Sequence, residues 1–186
     1  MAPRQKITKE MILEATFRLT REHGFEHVNA RSLAAELGCS TQPIFSRFET
    51  MDVLKKAFHA YAAKYFDHYA AQAMQGGDSF RKLGECYINF ARNESNLFRL
   101  LFMSEVMDLH GFSHMYDDPE NLEVAQNLST AMHISLESAK RFYMKMFIFT
   151  HGIASMAATG FVRLEPGEAE SILAEAHIAF TAQHTT

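Results

Sequence analysis

The 186-residue chain contains no tryptophan, only two cysteines, and no charge-free apolar stretch long enough for an ordinary membrane span. Cys39 and Cys86 belong to no CxxC or Cys/His pattern, which argues against a disulfide framework and indicates a reducing compartment. The longest uncharged segment, 17 residues between Lys145 and Arg163, is short for a span and includes polar side chains, so we expect a buried helix. The basic, polar N-terminus lacks the apolar run of a secretory signal. We expect a cytoplasmic protein that does not enter a membrane.

Sequence signatures of enzymes are also missing. There is no nucleophile elbow, no glycine-rich phosphate loop and no HExxH pair. We therefore expect no catalytic residue, no resident metal and no cofactor. An enzyme, or a helical ligand-binding protein without DNA binding, is the alternative from another functional class.

The apolar residues recur with a helical period along the whole chain, and no segment alternates as a strand. The fold class predicted is all-α. Residues 1–56 carry a net charge of +2 and residues 57–186 a net charge of −6, so a mildly basic end is joined to an acidic body. We expect a DNA-binding domain over residues 1–50 and a helical effector-binding and dimerisation domain over residues 51–186, with no flexible linker.

Residues 29–48 predict a helix-turn-helix. Ala34 is small enough for two helices to cross closely, and Gly38 stands where the turn requires a positive φ. Ile44 supplies an apolar side chain from the second helix into the corner. Asn29 and Ser40 are the expected N-caps of the two helices, as Thr8 and Thr50 are for the helices on either side.

The second of these helices has the side chains that a recognition helix needs. Gln42 can pair with adenine, and Arg47 can bind guanine or a phosphate, while Thr41 and Ser46 supply short hydroxyl groups. Phe48 points away from these residues and is expected to pack on Leu33 and Leu37.

On these residues the chain resembles the TetR family of transcriptional regulators. The match runs from about Ile7 to Ala57 and includes a first helix ending at Gly24, the run ARSLAAELG, the run CSTQPIFSRF and a capped fourth helix. The resemblance implies a dimeric regulator that reads a palindromic DNA operator with two-fold symmetry. The predicted DNA-binding residues are Arg31, Ser40, Thr41, Gln42, Pro43, Phe45, Ser46, Arg47 and Lys55.

Two positions depart from the family pattern. Met51 stands where a phosphate-binding lysine is common, and Lys55 or Lys56, one turn later, is expected to replace it. Phe45 stands where a tyrosine is common, so one phosphate hydrogen bond, worth about 1 kcal/mol, is lost.

The resemblance implies that helices predicted at 136–160 and 167–183 form a four-helix interface between two copies of the chain. The first of these helices has two apolar stripes, one through Phe142 and Phe149 and one through Phe147 and His151. We expect one stripe to pack on its own subunit and the other to face the partner.

The middle helices are rich in phenylalanine and methionine, which suits a small apolar or aromatic effector. An ordinary hydrophobic core explains the same composition. The predicted effector-binding residues are Tyr87, Phe102, Met103, Phe147 and His151. The function predicted is a repressor released from its operator when the effector binds and shifts the fourth helix.

A metal-responsive regulator is the alternative within the same fold. The segment DLHGFSHMYDD holds Asp108, His110, His114, Asp117 and Asp118, and the two histidines have an i, i+4 spacing. Gly111 between them and the polar composition favour a solvated loop instead.

Overall fold

The computed structural model describes residues 6–73, 79–104, 115 and 118–182. In these ranges the chain forms nine α-helices and one short 3-10 turn, with no β-strand, so the all-α fold class is confirmed. The helices, numbered in chain order, are α1 Lys9–His23, α2 Ala30–Glu36, α3 Gln42–Arg47, α4 Met51–Ala73, α5 Ser79–Asn93, α6 Ser95–Phe102, α7 Pro119–Met132, α8 Leu136–Ala158 and α9 Glu168–Thr181.

Helices α1 to α3 and the first turn of α4 surround a small hydrophobic core, which we call the head core. Its fully buried members include Ile12, Leu33, Ile44 and Leu54. Burial of such side chains stabilises the folded chain by roughly 1.5–3 kcal/mol each. The three helices of the head are therefore held together as one packed unit.

A second and larger core lies among α4, α5, α6, α8 and α9, and we call it the body core. Its largest fully buried side chains are Phe58, Phe90, Phe98 and Phe142. Leu54 belongs to the head core, whereas Phe58, one turn later on the same helix, belongs to the body core. One continuous helix thus contributes to both cores.

The predicted helix starts are largely those of the structure. The side chains of Thr8, Asn29 and Thr50 accept backbone N–H groups at the starts of α1, α2 and α4. The predicted cap Ser40 is wrong: Thr41 occupies the N-cap of α3 and makes no side-chain capping bond. Pro43 lies within the first turn of α3 and has no N–H, so one donor that a cap would satisfy is absent.

Backbone angles account for two helix ends. Helix α6 ends at Phe102, because Met103 already has non-helical backbone angles. Helix α8 ends at Ala158 rather than at residue 160, since Gly160 adopts a φ of 72° that stops the helix.

Both apolar stripes of α8 have neighbours within the same chain, whereas the sequence predicts that one of them faces the partner. Phe142 contacts Phe80 and His177 of the same chain, and Phe147 and His151 contact Tyr87 of the same chain. Both stripes therefore pack on the chain's own body. The exposed side of α8 is a third face, which contains Ile148, Gly152 and Met156.

Candidate DNA-binding surface and effector site

The helix-turn-helix is held in shape by local contacts on both sides of its turn. Asn29 Oδ1 accepts the backbone N–H groups of Arg31 and Ser32, and the Ser32 hydroxyl oxygen accepts the N–H of Asn29, which completes a capping box. Gly38 adopts a φ of 63°, a conformation that L residues with a side chain rarely adopt. The corner between the two helices is filled by Ala34 and Ile44, as the sequence predicts.

Helix α3 exposes one face and buries the other. Phe48, at its C-cap, and Ile44 are buried in the head core beside Leu33 and the partly buried Leu37. The opposite face presents Gln42, Phe45 and Ser46 to solvent. A short helix that exposes an amide, an aromatic ring and a hydroxyl side by side has the donor, acceptor and apolar groups that read a major groove.

The remaining predicted DNA-binding residues surround this face. Arg31 lies in the first turn of α2 and Ser40 in the turn, and both are exposed. Thr41 and Pro43 are half-buried at the start of α3. These four residues lie at the edge of the exposed face of α3, where they can contact the phosphates of bound DNA.

Two of the predicted cations are already engaged within the protein. Arg47 is half-buried, and its Nε donates to the carbonyl oxygen of Ile7 at 3.0 Å, which ties α3 to the segment before α1. Lys55 Nζ lies 5.8 Å from the centroid of the Phe25 ring. Arg47 thus has a structural contact that its place in the sequence did not reveal.

The head meets the body through a polar junction that sequence reasoning missed. Glu94, at the start of α6, is buried, and its two carboxylate oxygens accept Nε and Nη2 of Arg21 at 2.7 and 2.6 Å. The hydroxyl of Tyr65 donates to the same carboxylate at 3.0 Å, and Asn96 Nδ2 donates to the carbonyl oxygen of Arg21. The hydrogen bonds that Arg21 donates to Glu94 raise the pKa of Arg21, which is already a cation near neutral pH.

Four of the five predicted effector-binding residues come together in the body. Tyr87 lies at the centre: its ring centroid is 4.9 Å from that of Phe102 and 6.3 Å from that of Phe147, and its hydroxyl is 2.9 Å from His151 Nδ1. The rings of Phe147 and His151 stack at 5.7 Å. Met103, the fifth residue, is exposed just after the end of α6.

Two further phenylalanines belong to this aromatic cluster. Phe66 of α4 contacts both Tyr87 and Phe102, and Phe98 of α6 contacts Tyr87 and His151. Phe66 could have been found from the sequence, because it follows the buried Phe58 and Ala62 at helical spacing on α4. The aromatic cluster hereafter means Phe66, Tyr87, Phe98, Phe102, Phe147 and His151.

Burial keeps the polar pair of this cluster neutral. Desolvation raises the pKa of Tyr87, with a smaller contribution from Tyr143, and desolvation lowers the pKa of His151. Around pH 7 the cluster therefore contains a neutral phenol and a neutral imidazole joined by one hydrogen bond.

A separate open groove of about 430 Å³ lies between α4 and α5. Its walls mix charged, polar and apolar groups and include Lys82, Glu85 and the buried, free thiol of Cys86. None of the predicted effector residues lines this groove. Its open, mixed character differs from that of an enclosed apolar pocket.

An exposed apolar surface runs along α8 and α9. It consists of Ile148 and Met156 on α8, Phe161 in the turn that follows, and Ile178 on α9. Gly152 lies between the two α8 side chains, and the space beyond its Cα is open. We call this surface the α8–α9 face.

Two further predictions concern a metal site and a membrane-spanning helix. Within the described ranges no three histidine, cysteine, aspartate or glutamate side chains are grouped as metal ligands would be. His110 and His114 of the metal-responsive alternative lie outside the described residues, as do Asp108, Gly111 and Asp117. No helix in the described part of the chain is long and apolar enough to cross a membrane.

Solved structures share this architecture over the full length of the chain. A TetR-like transcriptional regulator from Rhodococcus sp. RHA1 superposes with a TM-score of 0.69 and 16% identity, covering 98% of this chain and 99% of its own. The chain has a TetR-like fold. A protein of unknown function from the same organism matches at a TM-score of 0.73 and 18% identity over 100% of both chains.

The TetR-like fold is visible in the structure and not in overall sequence similarity. No family model matches the chain. No curated protein matches it by sequence. At 16–18% identity the similarity to these two structures concerns the fold alone.

Proposed function

We propose that this protein is a dimeric transcriptional regulator that binds a palindromic DNA operator through α3 of each subunit. One observation carries this proposal. Helix α3 exposes Gln42, Phe45 and Ser46 on one face, and its other face is buried in the head core. The TetR-like fold supports the same assignment, because a regulator is among the structures that share it. A DNA partner also makes the cytoplasm the expected location.

The dimer is part of the proposal because one short helix reads only a few base pairs. A two-fold pair of recognition helices reads two half-sites about one helical turn apart. The α8–α9 face is exposed, apolar and centred on a glycine that permits close helix approach, which suits a four-helix interface with a second copy.

We propose that the protein is a repressor and that a small aromatic effector controls it through the aromatic cluster. The cluster joins α4, α5, α6 and α8, and α4 continues directly into the head core. An effector that binds more tightly when α4 and α6 have moved shifts the population away from the DNA-binding state. Because α4 contributes to both the body core and the head core, its movement changes the spacing of the two recognition helices.

The first test is a selection of bound sequences from randomised duplex DNA at a fixed salt concentration. We expect a palindrome with half-sites about one helical turn apart. Recovery of only salt-sensitive, sequence-independent binding would contradict the proposal.

A paired substitution then tests the role of α3. Gln42→Ala is expected to weaken binding to the selected operator by about 5- to 150-fold, corresponding to about 1–3 kcal/mol for a lost bidentate base contact. Gln72→Ala, which changes an exposed glutamine of α4 in the body, is the matched control and should bind as the unaltered protein does. Equal affinities for the two variants would exclude base reading by Gln42.

A further inference from the structure

The chemistry of the Tyr87–His151 pair restricts which effectors the aromatic cluster can accept. The two groups form one hydrogen bond with each other at 2.9 Å. In the described part of the chain neither side chain hydrogen-bonds to any other group. What the pair still offers to a ligand therefore follows from counting its protons.

A neutral imidazole carries one N–H and a phenol carries one O–H, so the pair has two donors in total. If Tyr87 donates to Nδ1, the N–H of Nε2 remains free. If His151 donates from Nδ1, the O–H of Tyr87 remains free. One donor is left over in either tautomer, and it borders the apolar rings of the cluster, where a ligand acceptor can replace water as its partner.

The described residues around the pair provide no countercharge. Its ring neighbours are Phe66, Phe98, Phe102 and Phe147. Among the described residues no lysine, arginine, aspartate or glutamate shifts the pKa of either group, and Tyr143 is the one described titratable neighbour that does. A carboxylate or an ammonium ligand would lose its hydration here without gaining an ionic partner.

The half-buried side chains of the cluster leave the pair partly accessible. Tyr87 is buried, whereas Phe102, Phe147 and His151 are only half-buried. An aromatic ligand that enters beside these three side chains can stack on the two phenylalanines while it faces the imidazole.

We infer that the effector is an uncharged aromatic compound with a hydrogen-bond acceptor, such as a carbonyl oxygen, attached to its ring. The Tyr87–His151 pair is the donor that recognises this acceptor. This inference rests on the proposed function, because it places the effector in the same aromatic cluster. It goes further in ranking purely hydrocarbon ligands below ligands with an acceptor and in excluding benzoate-like anions.

Three probes of similar shape test the inference by calorimetry with the full chain: acetophenone, ethylbenzene and benzoate. We expect acetophenone to bind about three- to tenfold more tightly than ethylbenzene, the ratio that one added hydrogen bond produces. We expect benzoate not to bind measurably. Tighter binding of benzoate or ethylbenzene, or binding of none of the three, would overturn the inference.

Two variants locate the preference at the pair. His151→Phe and Tyr87→Phe keep the aromatic volume, so both are expected to bind ethylbenzene as before. Each single variant still leaves one donor, an O–H in His151→Phe and an N–H in Tyr87→Phe, so each is expected to keep part of the preference for acetophenone. We expect the double variant Tyr87→Phe/His151→Phe to lose that preference. His177→Phe is the matched control, since that ring packs on Phe142 rather than on the cluster, and it should keep the preference.

A direct readout is the ¹⁵N spectrum of the His151 ring, which distinguishes its two tautomers and its hydrogen bonds. Saturating acetophenone should shift the Nε2 resonance, and ethylbenzene should leave it unchanged. A preference for acetophenone without any shift of His151 would overturn the role of the pair.

The operator selection separates failure of this inference from failure of the proposed function. A recovered palindrome with no preference among the probes rejects the effector class alone. A clear preference in a protein that selects no operator rejects the regulator and leaves the effector class standing.

Discussion

The buried ion pair between α1 and α6 leads to an unequal effect of removing its two partners. Glu94 is 8% exposed, whereas Arg21 is 51% exposed. Arg21→Gln leaves a carboxylate buried with Tyr65 as its remaining side-chain donor. Glu94→Gln leaves a guanidinium that water already reaches. We therefore expect the arginine substitution to destabilise the protein more than the glutamate substitution.

The magnitudes follow from the exposure of each group. Removing one partner of a fully buried pair costs about 3–5 kcal/mol. Because Arg21 is half exposed and Tyr65 still donates, we expect about 2 kcal/mol for Arg21→Gln. For Glu94→Gln we expect about 1 kcal/mol, because an amide oxygen can still accept from Tyr65. In a chain of this size 1 kcal/mol corresponds to about 2–4 °C in melting temperature.

Thermal and urea unfolding at one protein concentration measure these differences, since the stability of a dimer depends on concentration. Arg18→Gln is the control, because the ion pair of Arg18 with Glu36 lies at the surface within the head, and its loss should cost under about 1 kcal/mol. A glutamate variant at least as unstable as Arg21→Gln would refute the reasoning from burial.

The same variants test whether the junction orients the head. If Arg21 and Glu94 fix the angle between head and body, their loss should allow the recognition helices a wider range of separations. We expect Arg21→Gln to accept operators whose half-sites are one base pair closer or farther apart, while Arg18→Gln keeps the original spacing. An unchanged spacing preference in Arg21→Gln would assign head orientation to α4 alone.

Three further predictions concern the turn, the dimer and the buried histidine. Gly38→Ala should cost about 1–2 kcal/mol in unfolding free energy, from its φ of 63° rather than from crowding, and Gly38→Asn should cost less; equal costs would contradict this. Ile148→Glu should give monomers in light scattering. Val53→Glu is the control, because Val53 is 45% exposed and Ile148 is 47% exposed, and this variant should stay dimeric. A dimeric Ile148→Glu would exclude the α8–α9 face as the dimer interface. Since burial lowers the pKa of His151 below about 6.5, its stabilising effect is present above that pH and is lost as the pH falls toward the lowered pKa. The difference in stability between the unaltered protein and His151→Gln should therefore shrink from pH 7 to pH 5; a difference independent of pH would reject a buried neutral imidazole.

The exposed and buried positions of the head were predictable because they depend on short-range rules. A side-chain cap such as Asn29 acts within three residues, and Gly38 is required by the backbone of its own turn. The sequence also placed Ile44 and Phe48 on the buried side of α3, since helical periodicity assigns neighbours on one face. The cap of α3 was missed because the first turn contains Pro43.

The aromatic cluster was predictable in composition and not in geometry. The sequence predicts four aromatic or polar side chains that the structure brings together: Tyr87, Phe102, Phe147 and His151. No rule along the chain predicts that Tyr87 and His151, 64 residues apart, form a hydrogen bond. Met103 is exposed to solvent just after α6, which ends one residue before it.

The sequence by itself determined the helices, the turn and the two-sided character of α3, because these follow from periodicity and from backbone preferences within a few residues. Only the tertiary structure decided which neighbour covers each helix face. It turned both predicted stripes of α8 inward and left Ile148 on the outer face. It also paired Arg21 with Glu94, 73 residues away. Helical periodicity assigns a direction to a side chain, but what lies in that direction depends on how distant segments pack.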